Sequence, residues 1–198
     1  MPKVVDHEAR RDEISAIVAG LIARGGLEAA TIREIARSSG YSKGVVEHYF
    51  DNKEALISGA LGWVNRCYEE RLAQATEGIT GLAALRKMIE ATLPLTRQVR
   101  DEWKVRLVFW GIAAIDPVLR RQQGKRLDHA IERYEAHLRS AAEHGEIPEI
   151  RDYSMTARHL LNLTSGICTA ALHQRQGYTR EFLLREIDYV IGLATVEI

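Results

Sequence analysis

The sequence predicts an all-α protein of about nine helices: an N-terminal three-helix, helix-turn-helix domain followed by a C-terminal helical domain. Three observations predict it. Apolar residues recur at three- and four-residue spacing along nearly the whole chain, and no stretch alternates as a half-buried strand does. Only four prolines occur, and most glycines fall between the periodic segments rather than inside them. The stretch TIREIARSSGYSKGVVEHYFDNKEAL, residues 31–56, reads as two short helices around a glycine turn, an aromatic tripeptide and the start of another helix.

The elements follow in order. The first helix runs from about His7 to Arg24, with Ile14, Ile17, Val18, Leu21 and Ile22 as its apolar stripe and Gly25-Gly26 as its stop. The second covers about Thr31 to Ser38, where Thr31 and Glu34 have the spacing of a capping box. The third covers about Ser42 to Tyr49 with Ser42 as N-cap. The fourth runs from near Asn52 to about Thr76, and Gly78 and Gly81 bound the turn after it. The fifth spans about Leu82–Leu93 and ends at Pro94; the sixth spans about Thr96–Ile115. Asp116-Pro117 is a cap with proline in the first turn, opening a long seventh helix to about His144. EIPEIRDYS reads as a loop, Met155 to about Gln174 as the eighth helix, and Thr179 nearly to the C-terminus as the ninth. Domain boundaries are expected at residues 1–55 and 56–198.

Composition removes several function classes. With 198 residues, 46% hydrophobic and 27% charged, the chain fits an ordinary soluble globular protein with a sizeable core in one or two domains. No run of about 18 apolar residues exists, so no membrane partner is expected. The polar start MPKVVDHEARRDE is unlike a signal peptide, and Cys67 and Cys168 form neither a disulfide framework nor a zinc spacing, so a cytoplasmic location is expected. His129, His137 and His144 lie near Glu132 and Glu143 without the i, i+4 spacing of a helical zinc site. No nucleophile elbow, phosphate loop or dinucleotide fingerprint is present, so no cofactor and no enzyme activity are expected. Net charge is zero, and the first 53 residues carry eight bases against eight acids, so a positive face can come only from how charges are sorted in space.

A helix-turn-helix needs a small residue where its helices come closest, a residue tolerant of positive φ at the turn, and apolar inner faces. Ala36, Gly40, and the set Ile32, Ile35, Tyr41, Val46 and Tyr49 supply these. On those residues, and on the first helix with its exit GGLEAATIREIA, residues 10–60 resemble the signature of the TetR family of transcriptional regulators. The resemblance implies a homodimeric helical repressor that binds a double-stranded palindromic operator and is released by a small molecule. It makes the third helix the recognition helix. Ser42, Lys43, Gly44, Val45 and Glu47 would then face the major groove, with His48 and Tyr49 toward the phosphates. Phe50 would lock the helix against the first, Lys53 would meet a phosphate at a helix start, and Thr31 and Arg33 would reach the flanking backbone. Val45 and Glu47 depart from the threonine and tyrosine many members carry. Valine can touch a thymine methyl and glutamate can accept from a cytosine amino group, although glutamate repels phosphate. Arg10 and Arg11 read as a solvated face or a basic arm. The alternative is a helical carrier or enzyme whose N-terminal hairpin only contacts protein.

The segment VRLVFWGIAAIDPVLRRQQGKRLDHAIERYEAHLRSAAEHGEI resembles the BetI-like branch of that family, some of whose members respond to choline. Trp103, Arg106 and Trp110 share one helix face and are effector candidates, either as an aromatic wall for a cation or, through Arg106, as a site for an anion. The alternative is a core aromatic cluster with an extended arginine. Met88 and His159, with Tyr134, Asn162 and Cys168, are further candidates. Dimerisation is expected through helices eight and nine. The eighth carries the small residues Thr164, Ser165, Gly166, Thr169, Ala170 and Ala171; the ninth carries the wide stripe Phe182, Leu183, Ile187, Val190, Ile191 and Ala194.

Overall fold

The computed structural model describes residues 7–174 and 176–193. Among them the secondary structure is helical throughout: α1 (His7–Gly25), a 3-10 turn (Leu27–Ala29), α2 (Ile32–Ser39), α3 (Lys43–Tyr49), α4 (Lys53–Thr76), α5 (Gly81–Thr92), α6 (Arg97–Ile115), α7 (Pro117–Glu143), α8 (Tyr153–His173) and α9 (Arg180–Gly192). Ala194, assigned by the sequence to the stripe of the last helix, lies outside the described residues. The chain divides into two compact units, one within Met1–Cys67 and Asp101–Ile112, the other within Tyr68–Arg100 and Ala113–Ile198.

The helix ends follow local chemistry. Gly26 at φ 70° ends α1, and Gly40 at φ 71° turns the chain between α2 and α3, both in the left-handed region that a side chain would strain. Ser42 Oγ accepts from Val45 N at 3.3 Å, and Asn52 Oδ1 accepts from Ala55 N at 2.8 Å to cap α4. Asp116 Oδ1 accepts from the amides of both Val118 and Leu119 at 2.8 Å, so the cap expected before Pro117 is formed. Two expectations need correction. The capping box forms by halves: Thr31 Oγ1 accepts from Glu34 N at 3.2 Å, but the Glu34 carboxylate turns away to Arg37, accepting from its Nε at 2.9 Å. The hydrogen bond from Arg37 holds that carboxyl below its ordinary range. The loop before α8 is also two residues shorter than EIPEIRDYS. Asp152 caps the helix by accepting from Met155 N at 2.9 Å, which draws Tyr153 and Ser154 into the first turn.

In the first unit, one core joins Ile14, Val18, Leu21 and Ile22 of α1 to Ile35 and Ala36 of α2, Val46 of α3, Leu56, Ala60 and Val64 of α4, and Val105 of α6. Fully burying such a side chain contributes roughly 1.5–3 kcal/mol, which is what makes helices as short as α2 and α3 hold their shape. Phe50 sits in the same core directly after α3. It lies against Gly59, where an added Cβ would come within 2.6 Å of the Phe50 ring and 3.0 Å of Ser15 Oγ.

In the second unit α5, α7, α8 and α9 pack on one another. Each buries one stripe at helical spacing: Leu85, Met88 and Ile89; Ile131, Tyr134 and Leu138; Leu160, Thr164, Cys168 and Ala171; Leu183, Ile187 and Val190. Three buried polar side chains, those of Tyr134, Thr164 and Cys168, find partners inside this core. Tyr134 Oη donates to Thr164 Oγ1 at 3.2 Å, Thr164 Oγ1 donates to the Leu160 carbonyl at 2.8 Å, and Cys168 Sγ lies 3.6 Å from the Thr92 carbonyl. Burial pushes the Tyr134 phenol above its ordinary range. At the head of α5, Glu146 of the α7–α8 connection accepts from Leu82 N at 2.6 Å.

Candidate nucleic-acid interface

The inner face of α3 is fixed by Val46, fully buried, and by Phe50 immediately after it. The other face is consequently turned outward. Ser42, Lys43, Gly44, Glu47 and His48 are exposed, and Val45 is half-buried beside them. The small Ala36 and the left-handed Gly40 let the chain turn tightly between α2 and α3, which share one core through Ile35, Ala36 and Val46. Thr31 and Arg33 at the start of α2 and Lys53 at the start of α4 are exposed as well. A single helix with polar, donor-bearing residues on its outward face can enter a major groove and present side chains to base edges.

Several side chains assigned from sequence have intramolecular partners. Tyr49 is half-buried, and its hydroxyl lies 2.9 Å from His7 Nδ1. The His48 and Tyr49 rings meet edge to face at 5.3 Å between centroids, and the His7 ring stands 5.8 Å from Tyr49. Lys53 Nζ is 3.0 Å from Glu28 Oε1 in the 3-10 turn. Tyr41 Oη donates to Glu13 Oε2 at 2.6 Å, and that hydrogen bond raises the phenol above its ordinary range. Arg10 and Arg11 lie over rings, 5.2 Å from the centroid of Tyr41 and 5.4 Å from that of Phe50. His7 and Glu28 had no sequence signal: each is 25 or more positions from its partner, beyond the reach of helical periodicity.

The effector candidates separate into groups. Trp103, Arg106 and Trp110 do share a face of α6. The two indoles meet edge to face at 5.6 Å, and the Arg106 guanidinium lies 5.5 Å from the Trp103 centroid. Trp103 and Arg106 are buried, with Trp110 half-buried. Met88, Tyr134 and Cys168 lie in the closed core of the second unit, each 1% exposed or less. His159 and Asn162 instead are exposed on α8 and line an apolar groove of about 630 Å³ with Leu163, Gly166, Ile167, Tyr178 and Leu193. Met88 and His159 are therefore not neighbours in one cavity of that unit. Among the described residues, no group of three or more His, Cys, Asp and Glu side chains could hold a metal ion, and no helix is long and apolar enough to cross a membrane.

Residues 19–60, which hold α2, the Gly40 turn and α3, match the model of the bacterial regulatory proteins of the tetR family, and residues 82–191 match that of the BetI-type transcriptional repressor, C-terminal. The chain belongs to the TetR family. The family is one of transcriptional regulators with a helix-turn-helix DNA-binding domain and not of enzymes, which sets aside the enzyme alternative. Among TetR-family relatives, the regulator BetI 2 of Chromohalobacter salexigens is 30% identical over 62% of this chain and 61% of its own length. BetI of Pseudomonas fluorescens is 29% identical over 62% of this chain and 64% of its own. The match thus spans less than two thirds of these relatives. Among solved structures, a transcriptional regulator from Rhodococcus sp. Rha1 superposes with a TM-score of 0.81 at 27% identity, covering 93% of this chain and 95% of that one. A regulator from Saccharomonospora viridis, solved in complex with choline, superposes with a TM-score of 0.86 over 96% of this chain and 100% of that one; at 23% identity it speaks for the fold.

Proposed function

We propose that the protein is a cytoplasmic, dimeric transcriptional repressor that binds a palindromic operator and is released by a small-molecule effector. Residues 1–55 act as the DNA-binding domain, and residues 56–198 serve effector binding and dimerisation. The observation that carries the reading is the outward face of α3 on a rigid helix-turn-helix. Ser42, Lys43, Gly44, Val45 and Glu47 read base edges. His48, Tyr49 and Lys53 engage phosphates on one side, and Thr31 and Arg33 do so on the other. A two-fold dimer places two such helices on successive half-sites. The apolar groove on α8 supports this, because its Leu163 is 40% exposed, and α8 and α9 expose further large side chains, Met155 at 50% and Tyr189 at 65%.

The test is fluorescence anisotropy with duplexes taken from the DNA flanking the protein's own gene. Specific binding with a steep loss as salt rises is expected, and absent or salt-independent binding by a folded protein would refute the reading. For the effector, the Trp103, Arg106 and Trp110 face of α6 is the proposed site. The choline complex of the Saccharomonospora regulator makes choline the first probe. Titration with choline should change tryptophan fluorescence and weaken DNA binding, and Trp110→Ala should lose the fluorescence response. A protein whose fluorescence and DNA affinity ignore choline would rule that cation out.

A further inference from the structure

The groove beside the start of α4 contains a contact that DNA recognition by itself does not require. It encloses about 270 Å³ and is bordered by Glu28, Thr31, Glu47, Asp51, Asn52 and Lys53. Its border carries three carboxylates, those of Glu28, Glu47 and Asp51, and one ammonium, that of Lys53. The carboxylate in direct contact with it is that of Glu28, whose side chain is 91% exposed against 50% for Lys53. Nothing in the core needs this pair, and an exposed ion pair adds little to stability. Its position is what matters. Lys53 is the group that the DNA-binding reading, on which this inference rests, assigns to a backbone phosphate.

We infer that Glu28 is a positioning residue for DNA binding, its carboxylate occupying in the free protein the place at Lys53 that a phosphate takes in the complex. Binding is then an exchange of partners. The ammonium leaves a carboxylate held on its own chain and takes a phosphate, and the displaced carboxylate is left facing the DNA beside Glu47 and Asp51. The exchange lowers affinity for every duplex alike, because a phosphate contact carries no base information. It also blunts the salt response. At low ionic strength the internal pair competes hardest, and screening weakens it as salt is raised.

The experiment is a double-mutant cycle read by anisotropy on the operator duplex and on a scrambled duplex, with thermal unfolding as a check on folding. Glu28→Gln should bind both duplexes about two- to fivefold more tightly at low salt, the range that an exposed pair supports. The gain should shrink as salt is raised, and the unfolding midpoint should barely move. In the Lys53→Ala background, Glu28→Gln should have no effect. An equal gain in that background would overturn the inference, since Glu28 would then repel DNA without acting through Lys53. So would an unchanged affinity for Glu28→Gln. Wild-type protein that binds no duplex would remove the DNA-binding reading itself, and the inference with it; wild-type binding without a Glu28 effect would remove the inference alone.

Discussion

Gly59→Ala should destabilise the protein although alanine is the better helix former. Gly59 lies inside α4, where replacing glycine by alanine ordinarily gains about 1 kcal/mol. Here the new Cβ would stand 2.6 Å from Phe50 Cε1 and 3.0 Å from Ser15 Oγ, well inside van der Waals contact. Neither neighbour can retreat to solvent, because both are 1% exposed. Overpacking of this kind costs about 1–3 kcal/mol, so the net change is a loss of about 0–2 kcal/mol. Gly62→Ala, one turn on, is the control. Its Cβ would meet only the far end of the Arg66 side chain, at 3.5 Å, so the gain of up to about 1 kcal/mol should appear in full. Urea unfolding of the two variants should therefore separate by about 1–3 kcal/mol with unchanged slopes. Phe50 directly follows α3, so Gly59→Ala should also weaken operator binding while Gly62→Ala leaves it alone. If Gly59→Ala proves as stable as Gly62→Ala, the Phe50 ring has free space to move into, and the packing described around it is wrong.

Other perturbations probe the remaining parts. Lys53→Ala should weaken binding to all duplexes alike and lower the slope of log affinity against log salt by about one, whereas Glu47→Ala should change the order of preference between sequences. Gly166→Arg should yield a folded monomer in sedimentation, because a Cβ at this exposed position meets nothing within 4 Å of its own chain; a persisting dimer would move the interface off α8. Asp116→Ala should cost about 1 kcal/mol in urea unfolding by leaving the Val118 and Leu119 amides without their cap. Burial, with the Arg133 charge adding to it, pushes the His137 imidazole below its ordinary range. The unfolded chain then binds a proton that the folded chain refuses, so stability present above pH about 6.5 falls as the pH drops below it. His137→Gln should flatten that part of the pH dependence of the urea midpoint.

What the sequence revealed is what short-range chemistry controls. Asp116 and Ser42 cap where their spacing says, because a cap reaches only two or three residues along the chain. Periodicity finds the stripes of α5 and α8 for the same reason. The capping box at Thr31 failed by half because Arg37, one turn on, offers the Glu34 carboxylate a charged partner that a backbone amide cannot match. The α6 face of Trp103, Arg106 and Trp110 was legible as a face, but the spacing could not show that Arg106 already lies over an indole. Met88 and His159 could be named only by residue type, and the structure puts one in a closed core and the other on an open groove. His7 and Glu28 were invisible because their partners lie 42 and 25 positions away.

The carboxylate of Glu146 has a consequence for how this fold can vary. It accepts from the Leu82 amide, and it also fills the space that a side chain on Gly81 would need, at a residue whose φ is 62°. The backbone alone therefore asks for glycine at 81, and that glycine leaves the room in which the Glu146 carboxylate caps α5. A chimera that takes the α7–α8 connection from a homologue without this glutamate keeps the turn at Gly81 but loses the carboxylate that accepts from the Leu82 amide. The dependence runs one way: the glutamate cap relies on the space the glycine leaves, while the glycine is held by its own backbone.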